Sequence, residues 1–452
     1  MKYRIYIVFM SIVLAIVACK EAPENEIKPD VEKAAVEKPI HVQFAVYYLP
    51  KPTVNPIPVL QKIVQNTFTD LTVVERVPDK VTKPIVLVRL EAEVQKRYAA
   101  PSIKSLKYFA QGIESTEAEA LQASDQALIL DFVFPNDTVL SSIKTANKVA
   151  FTIAKVTEGI LWDEQSRQIF SVDAWQQKRI NLWVETYPDL SNHTTIHAYQ
   201  SGEYVRAITL GMAKFGLPDV TVENFSWSSN KGVGNLINLL SQALLEGQQF
   251  IVPGDFDLNL HQIKNRKIRE EQVASLLSQA TGIAKLALVK GRREEGDPDN
   301  NLLEITPSRH PGKDRHAQLD ALLTALFGAE DSITYIKHTD ELEAASQKVK
   351  AQLPALAETF NKGLPPGEFL QFKAPFPTPK GGSEWMWVEV TRWQGGDITG
   401  LLKNEPFNIP ELHAGQIVTV KQADVFDYIR QYADGTREGN ETGVIIQKMQ
   451  KK

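Results

Sequence analysis

Apolar residues along the chain fall into short alternating runs separated by stretches of helical period. Residues 41–49 (HVQFAVYYL), 84–90 (PIVLVRL), 126–134 (QALILDFVF) and 220–227 (VTVENFSW) are rich in β-branched and aromatic side chains and bounded by Pro, Asp or Asn, which predicts strands. Leu140, Ile143, Val149, Ile153 and Val156 recur at helical spacing, and residues 236–245 do likewise, so both segments are expected to pack as helices on a sheet. Further on, 268–280 predicts a helix, 283–289 a strand and 290–312 a polar loop. Residues 319–327 and 342–360 predict helices, the second interrupted or kinked at Pro354, which has no amide hydrogen to give. Near the end, 369–376, 384–393, 397–402 and 417–420 alternate faces like short antiparallel strands, with glycine turns at 381–382, 395–396 and 415.

The predicted class is α+β, with an N-terminal mixed α/β layered region followed by a small antiparallel β-rich C-terminal module. The expected divisions are an α+β domain over 40–249, an α+β or helical middle region over 250–362, and the β-rich module over 363–452. An apolar content of 43% in 452 residues is enough for two or three cores of ordinary size.

The beginning of the chain changes the picture of where it works. Lys2 and Arg4 precede an apolar stretch over 5–17, then Ala18, then Cys19, the one cysteine of the sequence. About thirteen apolar residues are too few to cross a bilayer as a helix, which takes roughly 20. The arrangement resembles a bacterial lipoprotein processing site. That resemblance implies a signal peptide over 1–18, removed so that the mature chain starts at a lipid-bearing Cys19, and a palmitate-type anchor holding the protein to a membrane of the cell envelope. Lys20 stands where an Asp would retain a Gram-negative lipoprotein at the inner membrane, so the expected place is the outer membrane, facing the periplasm. Residues 19–39, rich in Lys, Glu, Pro and Ala, read as a disordered tether spanning on the order of 25 Å. With Cys19 lipidated the folded body holds no thiol, and its stability rests on burial.

A formal net charge of −5 supplies no basic field, so nucleic acid is not an expected partner. The expected partners are the membrane, through the anchor, and a protein or envelope polymer.

The last ninety or so residues carry the most specific pattern: F-x-x-F-K-A-P-F from Phe369, E-W-M-W-V from Glu384, and G-G-x-I-x-G-x-L-x-N-x-P from Gly395 to Pro406. Gly415 before a valine-rich strand, Asp427-Tyr428, and G-N-x-T from Gly439 to Thr442 complete it. This segment resembles the YegJ-like family of bacterial proteins (domain family 2314), a domain of unknown function from which no activity can be carried over. Strand alternation places Trp385 and Trp387 on one face with Glu389, and Met386, Val388 and Val390 on the other. If the aliphatic face is buried, the tryptophans form an exposed aromatic groove suited to a peptide, glycan or lipid-like ligand, with Glu384 and Asn404 as further candidate contacts. In the competing reading the tryptophans fill the core, and Glu384 or Asn404 fastens a turn through backbone hydrogen bonds.

Other motifs lack their partners. Ser141/Lys144 and Ser228/Lys231 fit S-x-x-K without the companion motifs of acyl-enzymes. His193 and His197 lie four apart without an adjacent Glu or a third ligand. Asp297, Asp299 and Asn301 begin like a calcium loop, but Leu302 and Ser308 replace the required Gly and Glu. The segment Lys231-Gly232-Val233-Gly234 lacks the third glycine and the acid of a phosphate-binding turn. Arg309, His310, Lys313, Arg315 and His316 form a basic cluster that reads as a solvated loop or an anion patch. No cofactor or metal site is therefore expected. The leading expectation is a non-catalytic binding or scaffold protein. Alternatives are a hydrolase of an envelope polymer, for which Glu384, Asp397 and Asp427 are the acids to examine, and an immunity-type protective lipoprotein.

Overall fold

The computed structural model describes residues 38–49, 51–52, 54–277, 280–328 and 340–450. Cys19, the leader over 1–18 and all but the last two residues of the tether over 19–39 lie outside the described residues.

Three sheets follow one another along the chain, giving an α+β fold. The first unit comprises β1 (Ile40–Tyr47), α1 (Pro56–Thr67), β2 (Thr72–Val74), β3 (Ile85–Ala92), α2 (Ile103–Phe109), β4 (Ala110–Gln111), α3 (Ser115–Leu121), β5 (Gln126–Phe134), α4 (Val139–Thr157), β6 (Ile160–Asp163), β7 (Gln168–Phe170) and α5 (Val172–Trp175). Its strand order is β2-β3-β5-β1-β6-β7-β4. Alternation along β1 sorts the two faces. Val42, Phe44 and Val46 meet Leu60 and Val64 of α1 and Ile143, Val149 and Ile153 of α4. Ala45 and Tyr47 meet Leu106 and Leu121 from α2 and α3 on the other side. Val156, placed on the apolar stripe of α4 by its spacing, is instead exposed, while the neighbouring Thr157 is buried and hydrogen-bonded to Tyr48.

The second unit comprises β8 (Thr195–Ser201), β9 (Tyr204–Leu210), β10 (Asp219–Phe225), α6 (Asn230–Leu245), β11 (Gly254–Asn259), α7 (Arg266–Ala274), β12 (Ile283–Lys290), β13 (Leu302–Thr306) and α8 (Arg315–Phe327). Its order is β11-β12-β13-β10-β9-β8, with β10 and β13 parallel. The division expected at 249/250 falls inside this sheet. The apolar side chains of β9 and β10 are completed by β12 and β13 and roofed by Leu236 and Leu240 of α6 and Leu322 and Leu326 of α8.

The third unit comprises α9 (Asp340–Asn361), β14 (Phe369–Pro377), β15 (Ser383–Gln394), β16 (Asp397–Leu402), β17 (Ile417–Lys421), β18 (Asp427–Gln431), β19 (Arg437–Gly439) and α10 (Glu441–Gln450). All pairings in the order β17-β16-β15-β14-β18-β19 are antiparallel. The helix α9 runs through Pro354 and lays Val349, Leu353 and Leu356 over Leu370, Phe372 and Val388. It is the cover of this sheet, so the division expected at 362/363 separates a core from its lid.

The first and second units are locked by buried charge. Asp163 at the end of β6 accepts from Arg179 Nη2 at 2.8 Å and from Lys214, which also donates to the His193 carbonyl at 2.7 Å. Arg179 lies in a π-helical turn, its guanidinium 4.7 Å from the Phe170 ring centroid.

Candidate functional site: a cleft between the second and third units

Antiparallel pairing of β14 with β15 sets which side chains share a face. Met386 and Val388 stand beside Ala374 and Phe372 in the core under α9, so the aliphatic face is the buried one. Trp385 and Trp387 lie half-buried on the opposite face. Trp385 packs against Phe426 at 4.7 Å between centroids, and the Lys373 ammonium lies 5.8 Å from the Trp387 ring. Trp393 parts company with them. A register shift between Val390 and Arg392 turns it into the core, edge-on to Phe372 at 4.9 Å.

The two polar candidates hold backbone. The Glu384 carboxylate accepts from Phe407 N at 2.8 Å and Asn408 N at 2.9 Å, and Asn404 Oδ1 accepts from Trp387 N at 2.6 Å. The tryptophans therefore neither fill the core nor stand exposed as a groove, and Glu384 and Asn404 hold backbone. The three acids singled out for catalysis do not converge. Glu384 fastens a loop, Asp397 pairs with Lys421 at 2.5 Å at a hairpin, and Asp427 is buried on Thr442 N and Oγ1. Burial raises the Asp427 pKa above the ordinary carboxylate value, against the bonds from Thr442.

Part of the same sheet face docks on the second unit. Glu389 accepts from Ser228 N at 3.1 Å, and Lys403 Nζ donates to Ser226 Oγ at 2.8 Å. Lys313 pairs with Glu405 at 3.1 Å. At this join opens a cleft of about 400 Å³ lined by Tyr204, Asn224, Asp314, Arg315, His316, His413 and Gly415, among others.

Each lining group is held from behind. Asp314 is the N-cap of α8, its Oδ1 accepting from Ala317 N at 2.9 Å while its other oxygen pairs with His413 Nδ1. Arg315 bonds Glu304 at 2.9 Å and the Glu223 carbonyl at 3.0 Å. The His316 ring is buried, with Lys403 Nζ 3.2 Å from Nε2. An ammonium has only donors, so Nε2 must accept and the ring proton belongs on Nδ1. Burial, then Lys403 and His413, pull the His316 pKa down to about 3, so the ring is neutral at ordinary pH. Asn224 holds φ 54° and Gly415 φ 82°, two left-handed backbones on the rim of one cleft.

Of these residues the sequence singles out Arg315 and His316, as members of a basic cluster, and Gly415, as part of a pattern. Asp314, His413, Lys403 and Tyr204 were missed. The available signal was Asp314 directly before the apolar period of α8, an N-cap position. The basic cluster itself is dispersed among partners: Arg309 on Asp255 at 2.6 Å, His310 on the Lys285 carbonyl at 3.0 Å, Lys313 on Glu405 and Arg315 on Glu304.

The remaining motifs fall apart similarly. Ser141 Oγ donates to the Thr138 carbonyl while Lys144 lies over Trp183. His193 is sandwiched between Trp183 and Phe215, and His197 lies against Phe109 and Tyr199. Among the described residues no group of three His, Cys, Asp or Glu is placed to hold a metal ion. Asp297 takes both oxygens to Arg206 at 2.9 Å, and Asp299 pairs with Arg293 at 2.9 Å, so the calcium-like loop is pinned by arginines. Gly232 lies inside α6, where a Cβ would stand 3.1 Å from Leu323 of α8, so this glycine serves helix packing.

No curated protein and no solved structure matches the chain. Residues 339–452, which contain the whole third unit from α9 to α10, match the family described as "Uncharacterized protein conserved in bacteria (DUF2314)".

Proposed function

We propose that the chain is a lipid-anchored protein of a bacterial cell envelope that binds a ligand in the cleft between its second and third units without transforming it. The anchor rests on the residues around Cys19, and the bacterial setting on the match of the C-terminal segment. One observation carries the binding reading: segments distant in sequence, around Tyr204, Asp314 and Gly415, meet at one cleft with their polar ends already fixed by α8, Glu304 and Lys403. Groups fixed before a ligand arrives lose little freedom on binding it, and clefts between units are common ligand sites. Trp387, half-buried beside Lys373, remains a candidate contact for a longer ligand.

A second reading has its own observation. His413 lies in the cleft with Nδ1 beside the Asp314 carboxylate and 3.1 Å from the Ala414 carbonyl, an imidazole next to an acid as general-base chemistry needs, so hydrolysis of an envelope polymer is the alternative.

One experiment separates them. The full-length chain in detergent is incubated with soluble peptidoglycan fragments while melting temperature and fragment masses are followed. Binding predicts a raised melting temperature with every fragment mass unchanged. Shortened fragments that disappear with His413→Gln would replace binding by hydrolysis. The anchor is tested by palmitate labelling, expected in the wild type and lost in Cys19→Ser.

A further inference from the structure

We infer that the group seated at the floor of the cleft is a carboxylate, which accepts its hydrogen bond from His316 Nδ1. The inference rests on the reading of the cleft as a ligand site and adds the chemistry of what it takes.

The starting point is an unanswered donor. His316 is 4% exposed and lines the cleft, and its Nδ1 has no hydrogen-bond partner among the described residues. Because Lys403 Nζ faces Nε2 at 3.2 Å, the proton stands on Nδ1. A buried N–H without an acceptor is unfavourable, and such groups call for an explanation. An ammonium beside the other ring nitrogen polarises the imidazole, which makes Nδ1–H a stronger donor and favours a charged acceptor over a neutral one. The ring stands in the first turn of α8, a helix of 13 residues whose N-terminal end carries partial positive charge.

Two of the neighbouring acids are answered by cations, Glu304 by Arg315 and Glu405 by Lys313, while Asp314 accepts from Ala317 N with Oδ1 and keeps Oδ2 beside His413 Nδ1 without a hydrogen bond among the described residues. Asp320 lies 3.6 Å from His316 Nε2, on the Lys403 side, and burial raises its pKa above the usual carboxylate value. A cleft of about 400 Å³ is at the small end of ligand pockets, which suits the end of a short peptide or a single acidic residue.

The test uses the full-length chain in detergent, labelled with ¹⁵N at histidine, with His316→Gln to assign its signals. Long-range ¹H–¹⁵N spectra distinguish the two neutral tautomers, and the probes are N-acetylglycine, N-acetylglycinamide and a neutral disaccharide. The expected result is the Nδ1–H tautomer at neutral pH, a downfield shift of that proton with N-acetylglycine, and a Kd at least about ten-fold lower than for the amide. An Nε2–H tautomer, or equal binding of acid and amide, overturns the carboxylate while the cleft remains a ligand site. If none of the three probes moves the His316 or His413 signals, both the carboxylate and the ligand-site reading fall.

Discussion

Lys403 Nζ lies 3.2 Å from His316 Nε2 across the join of the second and third units, so the imidazole there must stay neutral for the join to close. Its pKa, about 3 in the folded chain against an ordinary 6.5, sets the sign of a pH effect. On acidification the unfolded chain takes up the proton first. The stabilising difference is therefore complete above about pH 6.5 and is lost progressively as pH falls toward 3, with an upper bound of about 5 kcal/mol. His193, buried and also held far below its ordinary pKa, acts in the same direction. Urea unfolding at pH 7 and pH 4.5 is expected to show a large loss for the wild type and a smaller one for His316→Gln. Equal losses would mean that this histidine is not the titrating group.

Gly415 lies over the His316 ring, and a methyl group there would overlap Cβ, Cγ and Cδ2 of the imidazole. Its φ of 82° is also one that a β-branched residue tolerates poorly. Gly415→Val is expected to lower stability by about 2–4 kcal/mol and to push His316 away from Lys403. A melting-temperature measurement, with the histidine ¹⁵N spectrum as local reporter, checks both effects. An unchanged spectrum would mean that the glycine does not seat the ring.

Asp163 faces two buried cations, Arg179 and Lys214, and burial brings the Lys214 pKa down to about 8 even with that carboxylate beside it. Asp163→Asn would leave both cations without a counter-charge and should cost about 3–5 kcal/mol. Lys214→Met removes one cation and keeps the Asp163–Arg179 pair, so it should cost clearly less. Chemical denaturation of the two variants gives the ordering, and the reverse order would make Lys214 the keystone.

Much of the fold was legible because strands and helices announce themselves by period. Residues 126–134 coincide with β5, and 397–402 with β16. Unit boundaries were not legible, for a physical reason. The run over 220–227 reads as a strand, but only the pairing of β10 with β13, and of β13 with β12, shows whose core it completes. The amphipathic α9 likewise reads as a helix without saying which sheet it covers. The candidate site was the least legible part, since Asp314, Lys403 and His413 are ordinary polar residues in sequence and acquire meaning only when two units bring them within hydrogen-bond reach. Glu384 and Trp393 illustrate the opposite limit. Glu384 stands out in the pattern and fastens a loop, whereas Trp393 only closes the alternating run over 384–393 and is sent to the core by a register shift.

The Glu384 contact gives the sharpest test of what the family pattern encodes. Its carboxylate receives two backbone amides, Phe407 N and Asn408 N, and so fixes the start of the loop that leads from β16 toward Gly415. Hydrogen bonds to a charged acceptor contribute about 1.5–3 kcal/mol each when made, but in this partly exposed setting water replaces much of what is lost. Glu384→Ala is therefore expected to cost about 1–2 kcal/mol overall. Its local effect should be larger: amide exchange at Phe407 and Asn408 should speed up at least about ten-fold, with β14 and β15 unchanged. Glu384→Gln, which keeps one acceptor oxygen, should fall between wild type and Ala. If Ala leaves exchange at both amides untouched while abolishing ligand binding, Glu384 belongs to the binding surface rather than to the loop, and its role as a fastener is refuted.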